Sequence, residues 1–139
     1  MTRVVYVDTG AWIALLWARD KAHQRMARHF RALREARDLL VTSEPAIGET
    51  ATRLRHDAGL SATLAFQRYL EAAVATGELR IRDTDRGLRQ RAFELMSRHV
   101  DLPLSYADCV GAAVAEEVGA GSILGLDNDF RVLGFVLEP

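Results

Sequence analysis

Val4-Val5-Tyr6-Val7-Asp8-Thr9-Gly10 is an apolar run, rich in β-branched residues, that ends abruptly in an acid. A strand buried on both faces of a sheet reads this way, as a near-continuous hydrophobic run. Open α/β sheets build their sites beyond the carboxyl ends of their strands. Residues 3–8 therefore predict a first parallel strand that carries Asp8 to a sheet edge. Asp8 also fits a plain turn with Thr9-Gly10, but an acid that interrupts a buried run favours chemistry.

Outward from this strand, helices and strands alternate. Ala11 to Trp17 is apolar nearly all round, which predicts a buried helix. Lys21 to Arg37 is amphipathic, with Met26, Phe30 and Leu33 at helical spacing and Arg25, Arg28, Arg31 and Arg34 on another face. Leu39-Leu40-Val41 predicts a second strand. Thr42-Ser43-Glu44-Pro45 then signals a helix start, with a hydroxyl cap and a proline in the first turn. That helix presents Ile47, Ala51 and Leu54 to the core and ends near Ala58-Gly59. Ser61 to Thr76 predicts a further helix with Leu64, Tyr69, Leu70 and Ala73 inward. Leu79-Arg80-Ile81 is a weak third strand. Asp85 to His99 is helical through Leu88, Ala92, Leu95 and Met96, and a helix from Tyr106 to Val118 follows Pro103. Ser122 to Leu126 predicts a fourth strand ending in Asp127, and Phe135-Val136-Leu137 a last edge strand. Such alternation predicts an α/β fold with a central parallel sheet of four to five strands flanked by helices. The 139 residues fit a single domain spanning 1–139, with no repeat or linker in view.

Composition narrows the function classes. Hydrophobic residues at 49% and charged residues at 27% describe a soluble globular chain. No run approaches the roughly 18 apolar residues of a membrane span. Only four apolar residues separate Arg3 from Asp8, so no signal peptide is expected. The one cysteine, Cys109, excludes an internal disulfide, suits a reducing cytoplasm and reads as a small buried residue. Net charge is −1, so total charge does not announce a nucleic-acid binder. Of 18 basic residues, however, only Lys21 is lysine. Arginine offers a planar fork suited to phosphate; a GC-rich coding genome also yields arginine over lysine, and both readings stand.

Four places put a carboxylate where a sheet meets a loop or a helix start. Asp8 ends the first strand, Glu49 lies early in the helix after the second, Asp108 opens the helix after Pro103, and Asp127 follows the fourth strand, with Asp129 close by. In a parallel sheet these positions converge on one edge. Clustered carboxylates repel unless a cation neutralises them. An all-oxygen site favours a hard ion, Mg²⁺ or Mn²⁺, which can activate water for phosphodiester hydrolysis. The four histidines show no paired ligand spacing for zinc. Each acid has a bland alternative: Glu49 as an exposed helix residue, Asp108 as the last member of a Ser105-Tyr106-Ala107-Asp108 capping box, Asp127 and Asp129 as caps for a short helix around Phe130.

Val7-Asp8-Thr9, Glu49, Leu104-Ser105-Tyr106-Ala107-Asp108-Cys109 and Leu126-Asp127-Asn128-Asp129-Phe130 occur in this order across nearly the whole chain. In that order and spacing the chain resembles the PIN-domain family, and within it the VapC toxins of toxin–antitoxin pairs. The resemblance implies a PIN-like fold and a metal-dependent endoribonuclease using Mg²⁺ or Mn²⁺. It implies catalytic and metal-binding roles for Asp8, Glu49, Asp108 and Asp127, with Asp129 a further candidate. It also implies an RNA substrate, a VapB-like antitoxin partner and a homodimer. One departure is Gly125, where many relatives carry Thr or Ser two positions before the last acid.

Competing readings are weaker. Asp8-Thr9-Gly10-Ala11 resembles the active-site loop of retroviral-type aspartic proteases, but that fold is nearly all β. A receiver domain wants an acidic pair after strand one and a late lysine, and the only lysine is Lys21. A haloacid-dehalogenase-type phosphatase wants a second aspartate where Gly10 stands. The remaining alternative is a non-catalytic PIN-like module that binds RNA or a partner.

Overall fold

A computed structural model describes residues 2–139. Its five strands are β1 (Val4–Val7), β2 (Leu39–Ser43), β3 (Leu79–Arg82), β4 (Ser122–Leu124) and β5 (Leu137–Glu138). They form one sheet in the order β3-β2-β1-β4-β5, and every neighbouring pair is parallel. The helices are α1 (Thr9–Leu16), α2 (His23–Glu35), α3 (Glu44–Asp57), α4 (Leu60–Thr76), α5 (Arg86–Arg98), α6 (Tyr106–Glu117) and the short α7 (Asp129–Val132).

Two apolar layers sandwich the sheet, and strand alternation assigns each side chain to one of them. Val5, Val7, Leu40 and Leu124 pack with residues of α1, α2, α3 and α4, around Trp12, Met26 and Phe66. Tyr6, Val41 and Ile123 pack on the other face with α5, α6 and Phe130 of α7. Because both faces are covered, the central strands carry apolar residues without alternation, as the N-terminal run predicts.

The path of the chain fixes where a site forms. It runs outward from β1 to β2 to β3, then crosses back over β1 to place β4 on its other side. Loops leaving β1 and β4 therefore diverge, which opens a crevice at the carboxyl ends of these two strands. Asp8 follows β1 and Asp127 lies beyond β4, so both acids border that crevice.

The structure corrects three details. β4 stops at Leu124 instead of reaching Leu126. The Asp8 amide takes the Leu124 carbonyl at 3.0 Å, after which the chain turns into α1 and no β1 backbone remains to pair with Leu126. The last strand is Leu137–Glu138 instead of residues 135–137. Gly134, at φ 96°, lets the chain turn back so that the Phe135 amide closes α7 on the Phe130 carbonyl at 3.0 Å. On α4, Leu64 is an exposed residue, and Phe66 takes the inward place. Phe66 shares its stripe with Leu70 and Ala73 and packs on Trp12, ring centroids 5.6 Å apart, whereas Leu64 lies off that stripe.

Candidate active site

Asp8 occupies the junction where β1 becomes α1. Its backbone is extended, at φ −90° and ψ 165°, and its carbonyl accepts the first helical amides, Ala11 at 3.1 Å and Trp12 at 3.2 Å. The side chain does not cap the helix. Instead it is buried, and Oδ1 has no hydrogen-bond partner. A buried carboxylate oxygen without a partner is costly. The carboxyl titrates at about 7, pushed up first by burial and then by Asp108, with Glu49 and Asp127 adding to it and the Thr9 amide opposing.

A buried hydroxyl relay fixes this junction. The Trp12 indole donates to Thr42 Oγ1 at 3.1 Å, and Thr42 donates to the Val7 carbonyl at 2.9 Å. On the other face, the Tyr6 hydroxyl and Ser43 Oγ lie 2.9 Å apart, while Ser43 Oγ accepts the Ala46 amide and starts α3. Thr9 and Thr50 both donate to the Ala46 carbonyl, at 3.5 and 2.7 Å. These bonds tie the start of α1 to the start of α3, and so set Glu49 across from Asp8.

The Glu49 carboxyl is raised by burial and by Asp108, against the lowering effect of Arg53. Asp108 does form the capping box: it accepts the Ser105 amide through Oδ2 at 2.9 Å, and its own amide donates to Ser105 Oγ at 3.0 Å. Burial still raises its carboxyl, the Ser105 bonds oppose this, and Asp127 and Asp129 push it further up. The cap thus aims the carboxylate without removing it from the cluster.

Asp8, Glu49, Asp108 and Asp127 line a single cleft of about 360 Å³, together with Thr9, Ser105, Leu126 and others. Asp129 is not in its lining, although its charge reaches Asp108. Asp127 Oδ1 accepts the Asp129 amide at 2.9 Å, so of the two acids read as caps for this short helix it is Asp127 that makes the contact. Two charged residues of the lining were not among the acids that the sequence singles out, Asp20 and Arg53. Asp20 sits between α1 and α2, where its Oδ1 accepts the Ala22 amide at 2.8 Å; nothing in its neighbourhood signals a site. Arg53 did carry a signal, because it lies four residues after Glu49 on the same face of α3. The arginine face of α2 is exposed and lies outside the cleft, and Arg34 pairs with Glu78.

A hard divalent cation fits this donor set on two counts. The donors are all oxygen, and the acids raise one another's proton affinity, which a cation would reverse. The unpartnered Asp8 Oδ1 is one oxygen that could hold such an ion. Among the described residues, no three such side chains are already gathered into a coordination shell.

The PIN domain family profile matches residues 5–136. The chain is 29% identical over 133 residues to the 23S rRNA-specific endonuclease VapC20 of Mycobacterium tuberculosis, in both strain CDC 1551 / Oshkosh and strain ATCC 25618 / H37Rv, covering 96% of each chain. It also superimposes on the crystal structure of M. tuberculosis VapC20, described as a Sarcin-Ricin loop cleaving toxin. That match has a TM-score of 0.82 at 28% identity, covering 95% of this chain and 96% of the other.

Proposed function

Because the chain belongs to the PIN domain family, we propose that it is a metal-dependent endoribonuclease of the VapC type, the toxin of a toxin–antitoxin pair. The observation that carries this reading is the buried, unpartnered Asp8 carboxylate facing Glu49, Asp108 and Asp127 around one cleft. PIN domains generally use a divalent metal, and we assign Mg²⁺ or Mn²⁺ from the all-oxygen donors. Asp8, Glu49, Asp108 and Asp127 would hold the ion, with Asp129 an outer support at most.

When bound, the ion supplies a lowered pKa for water and charge stabilisation at phosphorus. Asp8, held by the Trp12–Thr42–Val7 relay, fixes one side of the cleft. Asp108, aimed by Ser105, and Glu49, on α3, line the rest of the cleft. As the water oxygen bonds to phosphorus and gives up a proton, the bond to the 3′-oxygen breaks and that oxygen takes up a proton, leaving a 5′-phosphate and a 3′-hydroxyl. The cleft opens to solvent, which suits a single-stranded loop whose bases can be splayed out. The relatives named for 23S rRNA make ribosomal RNA the first substrate to try. A VapB-like antitoxin, a homodimer and a cytoplasmic setting complete the reading, and the whole chain, 1–139, serves as the single nuclease domain. No helix among the described residues is long and apolar enough to cross a membrane.

The test is cleavage of purified 23S ribosomal RNA with Mn²⁺ or Mg²⁺. Cleavage should stop in chelator and in the Asp8→Asn variant. Cleavage that survives both would overturn the proposal.

A further inference from the structure

We propose that Arg53 is the substrate-positioning cation of the cleft, which grips a phosphate of the RNA backbone beside the bond to be cut. This deepens the ribonuclease reading and rests on it. The cleft lining contains five acids, Asp8, Asp20, Glu49, Asp108 and Asp127, and one cation, Arg53. A divalent ion neutralises the acids around the reacting phosphate, but the neighbouring phosphates of the strand still approach an acidic rim. Like charges at that distance repel, so an acidic cleft that binds a polyanion needs a positive group at its edge.

Arg53 is placed and free for that task. It sits one helical turn beyond Glu49 on α3 and is exposed. A Glu followed four residues later by an Arg is the favoured spacing for an ion pair on a helix. Yet none of the ion pairs within 4.0 Å among the described residues involves Arg53. The arginines that do make such pairs are Arg3, Arg34, Arg82 and Arg91, and none of them lines the cleft. The Arg53 guanidinium thus keeps its planar donor fork for an outside group, and that fork matches two oxygens of one phosphate. The competing role is purely internal: Arg53 would only temper the charge of Glu49.

The experiment compares wild type, Arg53→Ala and Arg53→Lys in three measurements. These are cleavage kinetics on ribosomal RNA, binding of a labelled single-stranded oligoribonucleotide in chelator across salt, and the rise in Tm on adding Mn²⁺. The expected Arg53→Ala result is about a 10-fold loss in oligonucleotide affinity and a similar rise in KM. Its log-affinity against log-salt slope should be shallower by about 0.7, the value of one single-strand phosphate contact. The Mn²⁺ response should be undiminished, and Arg53→Lys should recover only part of the affinity. Unchanged affinity, slope and KM in Arg53→Ala, with an altered Mn²⁺ response, would overturn the contact and leave the nuclease reading intact. A wild type that cleaves nothing but binds RNA through Arg53 would overturn the nuclease reading and support the contact.

Discussion

Ser105 and Asp108 bind each other reciprocally, each backbone amide donating to the other's side chain, at 2.9 and 3.0 Å. One carboxylate therefore starts α6 and also faces the acid cluster. The two duties separate by substitution. Asp108→Asn keeps an acceptor oxygen for the Ser105 amide but loses the charge. It should remain folded, with stability equal to or above wild type in chelator, and should lose RNA cleavage. Asp108→Ala loses both and should be less stable by about 1 kcal/mol as well. Chemical denaturation beside a cleavage assay checks this; full activity in Asp108→Asn would remove Asp108 from the site.

The raised Asp8 carboxyl predicts a pH dependence of stability. Its folded value of about 7 lies above the unfolded value of 3.8, so the folded state holds its proton longer. The penalty is absent below the unfolded value, grows as pH rises between the two, and is complete above about 7. It should reach the order of 4 kcal/mol. In chelator, wild type should lose stability relative to Asp8→Asn as pH rises from 4 to 8, the reverse of a salt-bridged acid. The difference in Tm between the two proteins measures it. A constant difference across that range would mean that Asp8 is not perturbed.

Asp127 and Asp129 divide differently. Only Asp127 lines the cleft, and its Oδ1 also holds the Asp129 amide. Asp127→Asn preserves that acceptor and should lose cleavage at nearly native Tm. Asp129→Asn should retain most activity. A dead Asp129→Asn beside a near-normal Asp127→Asn would reverse the assignment.

Gly111 predicts a packing effect on the other side of the sheet. A Cβ there would stand 2.7 Å from the Tyr6 hydroxyl and 2.8 Å from its ring. Tyr6 is fully buried and bonded to Ser43, so it has little room to yield. Helix propensity alone would favour Gly111→Ala by about 1 kcal/mol, but overpacking costs about 1–3 kcal/mol. The variant should therefore melt below wild type; a higher Tm would show that Tyr6 can move.

Much of this was legible in the sequence because both-sided burial writes itself into the strands. Val4 to Val7 and Leu39 to Val41 are apolar without alternation, and acids follow at element ends. The limits of β4 and β5 were not legible, since they depend on which neighbour still offers backbone to pair. Asp8 at the start of α1 removes that neighbour from β4, and Gly134 withholds Phe135 from β5. Phe66 and Leu64 both suit a helix interior by type, and the helical period already decides between them, since Phe66 shares a face with Leu70 and Ala73 and Leu64 does not. Gly125 looked like a lost hydroxyl. In three dimensions it is also a close approach, since a Cβ there would lie 3.3 Å from the Asp8 Cβ. Asp20 enters the cleft through a loop, where no periodicity exists to place it.

The chemistry of the cut ends tests the central claim most directly. Ribosomal RNA cleaved by the purified protein with Mn²⁺ should carry a 5′-phosphate on one new end and a 3′-hydroxyl on the other, with no product in chelator. A 2′,3′-cyclic phosphate with a 5′-hydroxyl, formed equally well in chelator, would mean attack by the ribose itself and would contradict a carboxylate-held metal.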